Sequence, residues 1–96
     1  MNKQRALELL SRSKPELKAR FGVTRLALFG STVRNAATTD SDVDILVAFD
    51  GPANSKRYFG VQFFLEDLLG CSVDLVTEKA LRPELWPYIE QERVNV

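Results

Sequence analysis

Three short apolar runs divide the chain of 96 residues. They predict β-strands at Val23–Phe29, at Val43–Phe49 and over residues 72–77, because each run is rich in β-branched and other apolar side chains. The second run is almost continuously apolar, which is typical of a strand covered on both faces. Strands with helices between them predict an α/β (α+β) fold, a small mixed sheet of three to four strands with helices packed on it.

The segments between these runs have helical spacing and helix-ending residues. Ser13 can cap a helix with Pro15 in its first turn, and Gly22 and Gly70 can end helices in the left-handed conformation. Polar, small residues 36–41 predict a loop. Pro87 marks either the start of the last helix or a kink in it. The expected helices are residues 2–11, 13–21, 31–35, 55–69 and 83–93.

Composition narrows the class of protein. Hydrophobic residues make up 45% of the chain, and 13 basic residues balance 13 acidic ones, so nothing indicates a long nucleic-acid surface. The absence of histidine excludes the usual zinc sites and histidine-based acid–base catalysis. A single cysteine, Cys71, fits a reducing cytosol, and no apolar run approaches the roughly 20 residues that span a bilayer. We expect one domain over residues 1–96, in the cytoplasm.

Three carboxylates stand in or beside the apolar runs. Asp42 and Asp44 are two positions apart and share a strand face, while Asp74 lies inside the third run. Burying an ionised carboxylate is costly unless something cationic or hydrogen-bonding compensates it. Mg²⁺ carrying a nucleoside triphosphate would compensate all three. The alternatives are a turn cap at Asp42, a purely structural role for Asp44 and an ion pair at Asp74.

A Gly30-Ser31 pair follows the first strand and predicts a phosphate-binding turn. Glycine allows close backbone approach, and a helix beginning at Ser31 would direct N–H groups and its dipole at phosphate. Arg34 could add a charge-assisted contact. Any strand-to-helix turn can use such a pair, however, and Arg34 can equally be a solvated or ion-paired surface side chain.

Together these residues carry a resemblance to a known family. Gly30-Ser31, Arg34, Ser41-Asp42-Val43-Asp44 and Val73-Asp74-Leu75-Val76 resemble the signature of the nucleotidyltransferase superfamily related to DNA polymerase β. The size is similar to that of its minimal nucleotidyltransferase (MNT) branch, and the resemblance extends from about Leu17 to the C-terminus. It implies the polymerase β palm-like fold.

The resemblance also implies a reaction and a site. The reaction is Mg²⁺-dependent transfer of a nucleoside monophosphate, expected to be AMP from ATP, to a hydroxyl. The carboxylates would be catalytic and metal-binding residues, and the Gly-Ser turn, its arginine and the serine before the acids would bind nucleotide. The residues so assigned are Asp42, Asp44 and Asp74, and Gly30, Ser31, Arg34 and Ser41. Asn35 departs from the family's usual glycine.

Partners follow from the same resemblance. MNT proteins are commonly paired with a HEPN-domain protein, and some act as antitoxins that adenylylate the HEPN toxin. Apolar side chains beyond the needs of a small core also indicate an interface with a partner or a second copy; they are Phe59, Phe63, Phe64 and Trp86. The alternative function is a non-catalytic nucleotide- or partner-binding module. A plain calcium or magnesium binder has less support, since the EF-hand pattern is absent.

Overall fold

The computed structural model describes residues 1–34 and 41–96, and the loop expected at residues 36–41 lies almost wholly outside this part. Three α-helices and four strands are present in the described residues. The helices are α1 (Lys3–Phe21), α2 (Ser55–Leu69) and α3 (Trp86–Glu92), and the strands are β1 (Val23–Phe29), β2 (Val43–Phe49), β3 (Val73–Thr77) and β4 (Val94–Asn95). None of the described helices is long and apolar enough to cross a bilayer.

The four strands form one mixed sheet in the order β3-β2-β1-β4. β1 runs antiparallel to both β2 and β4, whereas β2 and β3 are parallel. The α/β expectation and the three predicted strands are confirmed. β4 was not predicted, because a strand of two residues leaves no periodicity to recognise.

The N-terminal helix is where the sequence-based expectation was wrong. Two helices were expected to meet near Ser13, but α1 is continuous, capped by the Asn2 side chain and ended by Gly22 at φ 74°. Pro15 lies inside it on the exposed side, while an unbroken row on the opposite side is buried. The burial of that row outweighs the loss of one backbone hydrogen bond at proline. Its members are Ala6, Leu10, Ser13 and Leu17.

The core lies between one face of the sheet and helices α1 and α2. Alternate residues of β2 face this core, as the two-residue strand period requires. They are Val43, Ile45 and Val47, each at most 1% exposed. Asp44 occurs between the first two, so the same alternation turns its carboxylate to the opposite face of the sheet.

Helix α2 closes the open edge of the sheet. Tyr58 donates from its hydroxyl to the carbonyl of Leu75 at 2.6 Å, and Glu66 accepts from the amide of Val73 at 3.2 Å. Gln62, between them on the helix, donates to the Val73 carbonyl at 3.4 Å. These side chains satisfy backbone groups that an edge strand would otherwise leave unpaired. They thereby fix β3, the strand that carries the third acid.

The C-terminal helix begins later than expected. A 3-10 turn covers Pro83–Leu85, and α3 starts at Trp86 with Pro87 in its first turn. Of the two possibilities for Pro87, a helix start is therefore the one observed, because proline fits the first turn of a helix.

On α2, Phe59 and Phe63 remain 49% and 62% exposed, with their rings stacked 6.3 Å apart.

Candidate functional site

Neighbouring parallel strands place two of the predicted acids side by side. Asp44 on β2 and Asp74 on β3 are direct register partners. Asp42 immediately precedes β2 and is exposed, as is Asp74, whereas Asp44 is half-buried. The parallel pairing of β2 with β3 brings Asp74 beside Asp44, and Asp44 is the most buried of the three predicted acids.

The turn after β1 closes over Asp44. Phe29, the last residue of β1, is the antiparallel partner of Asp44. Gly30 follows it, buried and with φ 78°, a conformation that favours glycine. A Cβ atom at this position would overlap the carboxylate of Asp44. Glycine is therefore required here both by the backbone angle and by the approach of the acid.

Only one turn of helix follows this glycine in the described residues. Gly30–Thr32 forms a 3-10 turn in which the carbonyl of Gly30 accepts from the amide of Val33 at 3.1 Å. A helix reaching residue 35 was expected, but residue 35 lies outside the described part. Since the dipole of a helix arises from aligned peptides over several turns, this single turn supports phosphate binding less than expected. Ser31 is half-buried and next to Gly30, where its hydroxyl remains a candidate contact.

Burial and the surrounding negative charge raise the pKa of Asp44. Burial is the largest cause, and together with the charge of Asp74, a hydrogen bond to Asp74, and the charges of Asp42 and Glu92 it raises this pKa from 3.8 to about 6. The charges of the other two predicted acids, Asp42 and Asp74, thus both act on Asp44. A bound cation would relieve this repulsion, because it favours the ionised carboxylate.

Glu92, the fourth acid, was missed by sequence reasoning. It ends α3 and forms an ion pair with Arg34, which was expected to contact nucleotide. The ion-paired alternative for Arg34 is therefore observed in this conformation. Glu92 stands within an unremarkable run of polar residues, and only the docking of α3 brings it here, so no local pattern could have identified it. Ser41, half-buried and directly before Asp42, lies at the entry to β2.

The donor chemistry fits a hard divalent cation, although the acids are not gathered around one point in space. Across residues 1–34 and 41–96, no group of three or more acidic, cysteine or histidine side chains stands in a metal-binding arrangement. The available donors are carboxylate oxygens, which Mg²⁺ prefers and commonly supplements with phosphate and water. Asp44 and Asp74 repel one another, and Asp74 is exposed. Such a pair suits a metal ion that enters from solvent together with its substrate.

Comparison with known proteins gives a consistent answer. The family model of the nucleotidyltransferase domain matches residues 10–96. Protein adenylyltransferase MntA of Thermococcus cleftensis is 41% identical over 88 residues, covering 92% of this chain and 89% of that protein. A Methanocaldococcus jannaschii protein assigned as a protein adenylyltransferase is 38% identical, with 93% and 92% covered.

Solved structures share the fold. One assigned as a minimal nucleotidyltransferase is 35% identical with a TM-score of 0.79, covering 100% of this chain and 97% of that one. A complex of tri-AMPylated HEPN toxin with MNT antitoxin from Shewanella oneidensis has a TM-score of 0.60 at 20% identity, covering 98% and 67%, and supports the fold alone. The order of strands, the paired acids and these matches agree, and the chain belongs to the nucleotidyltransferase domain family of the polymerase β-like superfamily.

Proposed function

We propose that this protein transfers AMP from ATP, with Mg²⁺, to a hydroxyl group of a partner protein. The observation that carries the proposal is the pairing of Asp44 with Asp74 beneath the Gly30 turn. This arrangement concentrates negative charge beside a backbone turn that approaches it closely. Relatives named as protein adenylyltransferases support the choice of AMP and of a protein acceptor.

Asp42 and Asp44 are the proposed metal ligands. Asp42 immediately precedes β2, Asp44 is the second residue of β2, and the charge of Asp42 acts on the half-buried Asp44. Bound Mg²⁺ would supply charge neutralisation for the triphosphate and for the leaving pyrophosphate. Gly30 and Ser31 would contact the phosphates, and Ser41 would support the nucleotide from the entry to β2.

Asp74 is the proposed base. It is exposed and adjacent to Asp44, so an acceptor hydroxyl can approach it from solvent. The hydroxyl oxygen forms a bond to the α-phosphorus of ATP as its proton passes to Asp74. The bond from the α-phosphorus to the oxygen bridging to the β-phosphorus breaks, and pyrophosphate leaves with the electron pair.

A HEPN-type toxin is the proposed acceptor, which would make this chain an antitoxin. Complexes of MNT antitoxins with HEPN toxins share its fold. The exposed pair of Phe59 and Phe63 offers an apolar surface for a protein partner or a second copy. A cytoplasmic location would fit the free Cys71.

The test is label transfer from α-³²P-ATP with Mg²⁺ to proteins in a lysate of the native host. Asp42→Asn and Asp44→Asn are the inactivating variants. Asp67→Asn is the matched control, because Asp67 is an exposed acid on α2 and belongs to neither of the paired strands. We expect a labelled protein band with wild type and the control, and at least a 100-fold loss with either site variant.

The outcomes separate the possible functions. Label on RNA would reject a protein acceptor, and equal labelling by all variants would reject the site. No label together with intact Mg-ATP binding by calorimetry would favour the alternative, a non-catalytic nucleotide- or partner-binding module of a toxin–antitoxin complex. This alternative is supported by one observation: the described residues contain no group of three acids arranged to hold a metal ion.

A further inference from the structure

An ion pair ties the Gly-Ser turn to the end of the chain. Arg34 Nη1 donates to Glu92 Oε1 across 58 positions of sequence. The two side chains differ in freedom, because that of Glu92 is 21% exposed and that of Arg34 is 58% exposed. Glu92 is therefore the more fixed partner, and Arg34 is the flexible side chain that it restrains.

The segment that carries Glu92 is anchored by the residues that follow it. Its neighbour Arg93 pairs with Glu90 at 2.8 Å and reaches Glu78 at 3.6 Å, with its guanidinium 5.8 Å from the ring of Trp86. β4 follows directly and pairs with β1. A carboxylate on such a segment has a defined position, which is what a residue that orients another side chain requires.

The anchored carboxylate also stands close to the candidate site. Its charge is one of those that act on Asp44, although Glu92 lies on a different element from all three predicted acids. Arg34 lies two positions after the end of the Gly30–Thr32 turn, and its amide approaches the Gly30 carbonyl at 3.4 Å. The ion pair thus lies beside the turn proposed to bind the triphosphate.

We infer that Glu92 is a positioning residue that holds the guanidinium of Arg34 ready for a phosphate of the nucleotide. An arginine side chain has five N–H donors, so the Nη1 contact with Glu92 leaves donors free for a phosphate oxygen. A flexible arginine loses rotamer freedom when it binds, and a partner that already restrains it reduces that loss. The inference rests on the proposed function, since it concerns nucleotide binding at the same site.

The test compares Glu92→Gln with wild type in steady-state AMP transfer. Because glutamine keeps the shape and loses the charge, we expect KM for ATP to rise about 3- to 10-fold with kcat within twofold. Glu84→Gln is the matched control, an exposed acid in the 3-10 turn that precedes α3. Circular dichroism and thermal unfolding of each variant report whether α3 remains docked, and Glu92→Asp, which keeps the charge, should recover part of the affinity.

A double-mutant cycle with Arg34→Gln separates positioning from an independent effect. If Glu92 acts through Arg34, removing both should raise KM no further than removing Arg34 alone. A lower KM in Glu92→Gln would overturn the inference, because Glu92 would then compete with phosphate for Arg34. Additive effects, or a KM equal to that of Glu84→Gln, would also overturn it. Should wild type bind no Mg-ATP, the proposed function fails as well, whereas binding without any response to Glu92→Gln rejects the inference alone.

Discussion

Replacing Gly30 by alanine tests the approach of the turn to the acid pair. The left-handed angle of 78° at this position strains a residue that has a side chain, by about 1–2 kcal/mol. Alanine also lowers the entropy of the unfolded chain, which returns about 0.4–1 kcal/mol. The net loss from the backbone should be about 1 kcal/mol. The methyl group would in addition overlap the carboxylate of Asp44, which must move.

Gly70→Ala provides a control with the same backbone strain. Gly70 has φ 71°, nearly equal to that of Gly30, but a Cβ atom there would meet nothing within 4 Å. Both variants should lose about 4–8 °C in melting temperature for each kcal/mol of lost stability. Only the Gly30 variant displaces a site residue. Since a shift of about 1 Å at a reacting group can lower the rate about 100-fold, AMP transfer should fall by that order in Gly30→Ala and remain near wild type in Gly70→Ala.

Thermal unfolding measures the stability of both variants. Label transfer from α-³²P-ATP is then compared at a temperature where both are folded. Transfer by both variants within threefold of wild type would refute the reasoning, because the displaced carboxylate would then have no role. An equal loss of transfer in both variants would show that general destabilisation is responsible. Mg-ATP affinity measured in parallel should weaken only in Gly30→Ala.

Three further predictions concern stability. The pKa of Asp44 is about 6 in the folded protein against 3.8 in the unfolded chain, so the fold is stabilised when Asp44 is protonated. This contribution to the free energy of unfolding is fully present below pH 3.8 and is lost as pH rises through 6. After solvent screening, this contribution to the free energy of unfolding is about 1 kcal/mol. In urea unfolding with EDTA, wild type should therefore lose about 1 kcal/mol more stability between pH 4 and 7 than Asp44→Asn loses. Tyr58→Phe leaves the Leu75 carbonyl without its donor and should cost about 1 kcal/mol by urea unfolding; an unchanged midpoint would contradict the edge-closing role. Pro15→Ala restores a helix amide and should raise the melting temperature by the equivalent of about 2 kcal/mol, whereas a lower value would mean that proline favours α1.

Local sequence signals predicted those parts of the fold that depend on local physics. Strand β2 was recognisable because its apolar residues are continuous, and the glycines that end α1 and α2 were recognisable from their position after helical spacing. The pairing of Asp44 with Asp74 needed only the further assumption that β2 and β3 are neighbours. Each of these features is determined within one element or one pair of elements.

The features that were missed depend on packing between distant segments. α1 continues through Pro15 because the row of buried residues on its other side packs against the sheet. Glu92 approaches Arg34 only because α3 docks beside the turn. No periodicity, cap or turn residue in the sequence encodes either contact, and a prediction from one sequence therefore places the acids on the strands without showing what surrounds them.

The acid pair links the stability of the protein to the chemistry proposed for it. Asp44 and Asp74 are held side by side by strand pairing, and α2 fixes β3 at the sheet edge, so the backbone keeps the two acids adjacent despite their repulsion. The metal-free fold must then either accept this repulsion or take up a proton at Asp44, whose pKa is about 6. A cation that binds there competes with that proton. Mg²⁺ with ATP should accordingly bind more tightly at pH 8 than at pH 5 and stabilise the fold more at the higher pH. Thermal shifts with Mg-ATP that were equal at both pH values would show that Asp44 does not face the bound metal.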